Sequence, residues 1–472
     1  MAKLKITDNA RQNGNEGWLL EQCCDAPLDA STRSETIHDL HVIGGKRLKD
    51  VVAENPNILL FPPVLGGHQD GVEDLHICSY SEAYDHLYTG NLMGFVGVNN
   101  TQVSITSRFA SGKEDYFLHY MLIKVFCPNI FDLKHDTSKD SAFDFLLYLF
   151  PHYFNEAMKQ GVFKMYRTFE RNDSKVNGTI DISRHIRCNI PFKGTIAYRT
   201  REFSLDNPIT QLIRHTIEFL KTSPIGHSLL KGKDTQDNVR IIIDNTSSYC
   251  ASDRRKVIAS NRKTLHHPYF TKYTVLQKLC ISILQHEELK YGSDKNKIHG
   301  ILFDGAWLWE EYLNTLFKPL GITHAENKAE NHKIYLFKEN KYVRYPDFFI
   351  DNRIVIDAKY KHLGYTDIAR DDIHQIITYL HVLKAKGTYL AYPIDNNEES
   401  DIRNIGSLKG FGGEVGLIGL KIPQNASCLS DFHDVISKEE AIVINKLSQH
   451  SASTLINLSL IHISEPTRRV VI

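Results

Sequence analysis

The chain has 472 residues, 42% hydrophobic and 24% charged, and its 56 basic residues balance 56 acidic ones. That composition suits a soluble chain of two to four domains, at roughly 100–200 residues each, and excludes a mainly disordered, collagen-like or coiled-coil chain. With no net charge, any nucleic-acid contact must come from local basic patches.

Eight scattered cysteines without a CxxC spacing point away from a disulfide framework and a zinc module. The first residues lack the apolar core of a signal peptide, and no uncharged apolar run reaches the ~18 residues of a membrane span. The expectation is a cytoplasmic protein without membrane contact.

In chain order, short apolar runs (Ile58–Phe61, Gly94–Val98, Val103–Ile105) alternate with Gly, Asn and Pro, which reads as β-rich. From Asp115 the apolar spacing predicts a helix, and 141–170 continue as helix. A strand or turn follows at Val176–Ile182, a helix at Thr210–Lys221, a strand at Val239–Ile243 and a helix at Tyr273–Glu287. Residues 290–297 are a polar boundary. Beyond it lie a helix at Ala306–Phe317, strands at Lys333–Lys338, Tyr342–Ile350 and Ile354–Tyr360, and a helix at Thr366–Lys386. A strand Thr388–Tyr392, stopped by Pro393, completes the pattern.

The strongest chemical signal is Tyr345-Pro346-Asp347, nine residues, then Asp357-Ala358-Lys359. Side chains alternate along a strand, so Asp357 and Lys359 share one face. If Ile350 pairs with Ile354 across the loop Asp351-Asn352-Arg353, Asp347 falls opposite Asp357 on that face. A two-residue loop would send it to the other face. Two adjacent carboxylates suit Mg²⁺, a hard oxygen-seeking cation, and a neighbouring lysine can orient water and face an anionic transition state. The Ala358 carbonyl is a further candidate oxygen ligand. Upstream, Trp309-Glu310-Glu311 lies on an apolar-faced helix that can aim one glutamate, Glu310 by preference, at the pair. Downstream, Gln375 and Tyr379 are one helical turn apart and can line the site or touch DNA.

These residues resemble the PD-(D/E)xK nuclease superfamily. In chain context the sequence is similar to McrC-like subunits of McrBC-type 5-methylcytosine restriction systems. Gly94–Val98 with Ile105–Phe109, Gln160–Tyr166 with Asn177–Ile182, and Glu202–Pro208 carry that likeness over about 90–395. The resemblance implies a Mg²⁺-dependent deoxyribonuclease with Asp347, Asp357 and Glu310 as ligands and Lys359 positioning the water. It also implies a partner, an McrB-like AAA+ GTPase hexamer that binds GTP, recognises modified DNA and engages the N-terminal region. The sequence has no GxxxxGK[ST] phosphate loop of its own.

The expected architecture is α+β and multidomain: a β-rich partner-binding region over 1–110, a mainly helical middle domain over 111–295, and a C-terminal α/β PD-(D/E)xK restriction-endonuclease-like domain over 296–457. Residues 458–472 read as translated sequencing adaptor. Two rivals stay open: a stand-alone repair or recombination nuclease, and a non-catalytic activator of a partner GTPase. Weaker signals are basic clusters (Arg184-His185 with Arg187, Arg199 with Arg201, Arg254–Lys256), which could follow phosphates, meet the partner ring or be solvated surface. His266-His267 lacks zinc spacing, and Val64–His68 reads as a turn.

Overall fold

The computed structural model describes residues 2–10, 17–55, 58–62, 76–110, 114–127, 141–289, 298–325, 332–363, 368–395, 398–410 and 412–461, with backbone alone at 141–143, 286–289 and 450–461. The expected turn at 64–68, the boundary 290–297 and residues 462–472 lie outside these. The chain forms two compact units, one joining 1–145 with 292–472 and the other spanning 146–291. This division departs from the three consecutive regions expected.

The first unit holds two principal sheets. One has the order Ala2–Thr7, Thr101–Thr106, Leu92–Val98, His299–Asp304, Ile58–Phe61. Thr101–Thr106 alternates buried and half-exposed residues, as a strand with one wet face must, while Leu92–Val98 is buried throughout. Gly94 has φ +127°, and a Cβ there would come 2.1 Å from the Ile301 carbonyl oxygen, so the pairing with His299–Asp304 requires glycine. The fourth strand comes from beyond residue 295, so the N-terminal sheet is closed by chain assigned from sequence to the nuclease region. The N-terminal region is also less purely β than expected. Helices Ala30–Gly44 and Leu48–Glu54 cover the sheet's apolar cluster through Leu40, Ile43, Leu48 and Val51.

The second sheet runs Thr323–His324, Phe348–Ile350, Ile354–Ala358, Gly387–Ile394, Glu414–Lys421, Asp401–Ser407. Its three central strands are parallel, with antiparallel partners outside them. Helix Arg370–Val382 makes the crossover between the first two parallel strands and packs Ile376, Tyr379 and Leu380 inward. Pro393 does not stop its strand, which continues to Ile394. Ala391 aims its carbonyl toward Lys359, so Pro393, two residues on, aims its missing N–H at the same side, where pairing has already ended at Ala358.

Helix Gly305–Phe317 leaves the first sheet directly and lies against the second. Asp304 caps it by accepting from the Ala306 and Trp307 N–H groups, and Trp309 Nε1 donates to the Ala391 carbonyl at 3.3 Å. Tyr120, Tyr312 and Lys124 all donate to the buried Glu440 of the long helix Leu429–Ile461, fixing three helices together.

The second unit is mainly helical and also has an antiparallel sheet in the order Met165–Asp173, Ile196–Ser204, Thr179–Ile180. The helix expected over 141–170 ends at Lys159, where Gly161 turns left-handed (φ +86°), and strand begins at Met165. Val239–Ile243 is helix, not strand. Its β-branched run suggested β structure, but Thr235, Val239 and Ile242 are buried at helical spacing within Lys233–Asp244.

Candidate active site

The loop Asp351-Asn352-Arg353 closes as three residues, with Asn352 in the left-handed region (φ +57°). Ile350 therefore pairs with Ile354, Phe349 with Val355 and Phe348 with Ile356. That register carries Asp347 opposite Asp357. Asp347 Oδ2 accepts the Ala358 N–H at 2.7 Å, and its own carbonyl accepts from Ala325. Asp357 is buried, and Lys359 Nζ stands 2.6 Å from its Oδ2, an oxygen with no well-directed hydrogen bond.

Gln375 ties the cluster together. Lys359 Nζ donates to its Oε1 at 3.0 Å, while its Nε2 donates to Asp357 Oδ1 at 3.2 Å and to the Tyr379 hydroxyl at 2.9 Å. Tyr379 in turn donates to the Tyr345 carbonyl at 3.0 Å, fastening the segment before Asp347 to the Gln375 helix. Both residues thus belong to the cluster, and Tyr379 also packs in the core.

Glu310 reaches the same place from its own helix. Its Oε1 meets His324 Nε2 at 2.7 Å, with both side chains largely buried. Burial pushes the Asp347 carboxyl well above the usual range, and repulsion from Asp357 and Glu310 adds to this. Burial also raises Asp357, opposed by Lys359. Burial works against the Lys359 charge, but Asp357 outweighs it and holds the amine above the ordinary lysine value. Glu311, one residue on, is rotated about 100° around the helix.

Asp372, its partner Lys361 and His324 belong to this neighbourhood and were not singled out from sequence. Asp372, buried on the Gln375 helix, pairs with Lys361 at 2.5 Å and lies 3.8 Å from Lys359. Its spacing of three from Gln375 was a usable signal. His324 sits on a two-residue strand and carries no pattern that could have marked it.

Among the described residues, no group of three or more His, Cys, Asp or Glu side chains is arranged to hold a metal ion. The donor set is a carboxylate pair with Glu310 close by. That set fits Mg²⁺, which is commonly held by one or two carboxylates and keeps several waters. Asp357 is buried and Asp347 half-buried, and the like charges of the pair are balanced only partly by Lys359, which suits an added positive charge beside them.

Of the basic clusters of the second unit, Arg184 pairs with Glu170 and Arg199 with Asp181, each at 2.8 Å. His267 Nδ1 accepts from the Tyr269 and Phe270 N–H groups, a turn rather than a metal ligand set. No helix among the described residues is long and apolar enough to cross a membrane.

The fold and cluster define a mixed α/β protein with an acidic pair and a lysine at the end of a central strand. Residues 87–393 match the family described as McrBC 5-methylcytosine restriction system component, and the chain belongs to that family. No curated protein matches it. Among solved structures, a chain of a half-complex of Thermococcus gammatolerans McrB AAA+ hexamers with bound McrC is similar at 12% identity, over 92% of this chain and 99% of that one, with a TM-score of 0.46. A chain of the Thermococcus gammatolerans McrBC complex is 12% identical over 67% of this chain and 87% of that one, with a TM-score of 0.32.

Proposed function

We propose that this chain is the McrC-like nuclease subunit of a McrBC-type restriction system. It cleaves DNA phosphodiesters with Mg²⁺ in the cytoplasm, on a PD-(D/E)xK restriction-endonuclease-like domain. An McrB-like AAA+ GTPase hexamer supplies GTP turnover and recognition of modified DNA. The observation that carries the reading is the strand register that seats Asp347 against the Ala358 N–H with Lys359 at the Asp357 carboxylate. Membership of a restriction-system family supports it. The partner follows from that membership and from a sequence with no phosphate loop for GTP.

In this reading Asp347 and Asp357 hold the cation, with the Ala358 carbonyl as a further oxygen. Glu310, oriented by His324, binds directly or through water. When bound, Mg²⁺ supplies Lewis-acid polarisation of the phosphate and a more acidic water. Lys359 keeps its charge, held by Gln375, and orients the attacking water toward phosphorus. The water oxygen bonds to phosphorus and gives its proton to solvent as the bond to the leaving oxygen breaks and that oxygen takes a proton from solvent, and the lysine faces the negative charge that develops. Tyr379 fixes Gln375, so the amine and the carboxylate it serves move as one body.

The test compares the chain with Lys359→Ala, each with and without the GTPase and GTP, on methylated and unmethylated DNA. Cutting of methylated DNA that needs both Lys359 and the GTPase supports the proposal. Cutting without the GTPase favours a stand-alone nuclease. No cutting, with GTP hydrolysis raised equally by both forms, leaves the chain an activator.

A further inference from the structure

The strands Ile334–Tyr335 and Val343–Arg344 form a hairpin of their own just before Asp347. Over 332–344 it carries Lys333, Lys338, Lys341 and Arg344 against one acid, Glu339, in a chain with no net charge. All four basic side chains are exposed, and among the described residues none forms an ion pair, unlike Arg184 and Arg199 of the second unit. At the tip, Phe337 and Tyr342 are 53% and 66% exposed, with ring centroids 5.5 Å apart. Asn340 and Tyr342 both sit at left-handed φ (+56° and +58°), an uncommon backbone that holds the tip bent. The base is anchored to the active-site helix. Ile334 packs on the Val355, Tyr379 and Leu380 cluster, and Tyr379 bonds the Tyr345 carbonyl.

An exposed aromatic pair ringed by unpaired lysines, fixed to a phosphodiester-cutting site, matches a polyanion with apolar surface between its charges. We infer that this hairpin grips duplex DNA beside the scissile phosphate, with Lys338 and Lys341 on backbone phosphates and Phe337–Tyr342 in the groove. The inference rests on the nuclease reading above and adds the element that holds the substrate.

Binding of the full chain to a fluorescein-labelled duplex, with Ca²⁺ replacing Mg²⁺ to suppress cutting, is measured by anisotropy across a salt series. The double variant Lys338→Ala/Lys341→Ala should bind roughly tenfold more weakly and lower the log–log salt slope by about 2, near 0.9 per phosphate contact. Phe337→Ser/Tyr342→Ser should weaken binding with the slope unchanged, and Lys338→Arg/Lys341→Arg should bind like wild type. Unchanged affinity and slope in both weakening variants, with wild type still binding and cutting, overturns the hairpin's role and leaves the nuclease reading standing. A wild-type chain that holds no DNA, with or without the GTPase, overturns both.

Discussion

Replacing Arg108 by alanine probes how the N-terminal sheet supports the site. Arg108 Nε donates to Asp8 Oδ2 at 3.0 Å and its backbone N–H to Oδ1 at 2.7 Å, with the two side chains only 5% and 0% exposed. The guanidinium also lies 5.0 Å from the ring centre of Tyr360, next to Lys359, and the Tyr360 hydroxyl bonds Ser107 Oγ at 2.6 Å. Breaking a buried pair from one side costs about 3–5 kcal/mol, and the lost cation–π contact about 1 kcal/mol more. The expected loss is therefore about 5 kcal/mol, or roughly 7 °C in Tm for a unit of this size. Burial already raises the Asp8 carboxyl above its ordinary value despite Arg108. Without the guanidinium it rises further, so the penalty should grow as pH climbs above the raised wild-type value. Trp18, Trp307 and Trp309 all lie in this unit, so tryptophan fluorescence in urea reports its unfolding. Asp8→Asn in the Arg108→Ala background should recover part of the loss. A loss below about 1 kcal/mol, or a double variant no more stable than the single one, refutes the reasoning.

Asp347→Asn should raise the Tm of the cation-free chain at pH 7 but not at pH 4. A carboxyl whose folded pKa is raised costs stability as pH climbs from its unfolded value toward its folded one. In the same calorimetric scans, Mg²⁺ should raise the Tm of wild type and leave the variant's unchanged. Asp115, which caps helix Tyr116–Phe126, is pushed up to about 6 by burial. The chain should lose about 3 kcal/mol from this group between about pH 4 and 6, a slope that Asp115→Asn removes while keeping the capping oxygen. Gln375→Leu should slow single-turnover cleavage roughly 10–100-fold with an unchanged thermal midpoint, because it frees Lys359 without opening the core.

The hairpin Phe348–Ala358 was legible because its constraints are local. Strand alternation and a three-residue loop admit one register that joins Asp347 to Asp357, and the structure has that register. The Gln375 helix could be read for a similar reason, since one turn separates Gln375 and Tyr379 on the side that carries Ile376 and Leu380. What escaped the sequence depends on contacts distant along the chain. His299–Asp304 pairs with Leu92–Val98 some two hundred residues earlier, which no local pattern encodes. Helix Ala30–Gly44 buries Thr36 and Asp39 beside Leu40 and Ile43, so its inward face is not apolar enough to stand out. Pro393 misled because the cost of a missing N–H depends on which neighbour it faces, and here pairing on that side has ended. His324 became part of the cluster only when the sheet brought it beside Glu310.

The most direct test of the central claim is Mg²⁺-dependent cleavage of duplex DNA by the chain with its GTPase and GTP, wild type against Lys359→Ala. The account predicts cutting by wild type and a loss of at least about 100-fold in the variant, with DNA binding intact. Equal cutting by both would show that the Asp347, Asp357 and Lys359 cluster is not where the phosphodiester is broken.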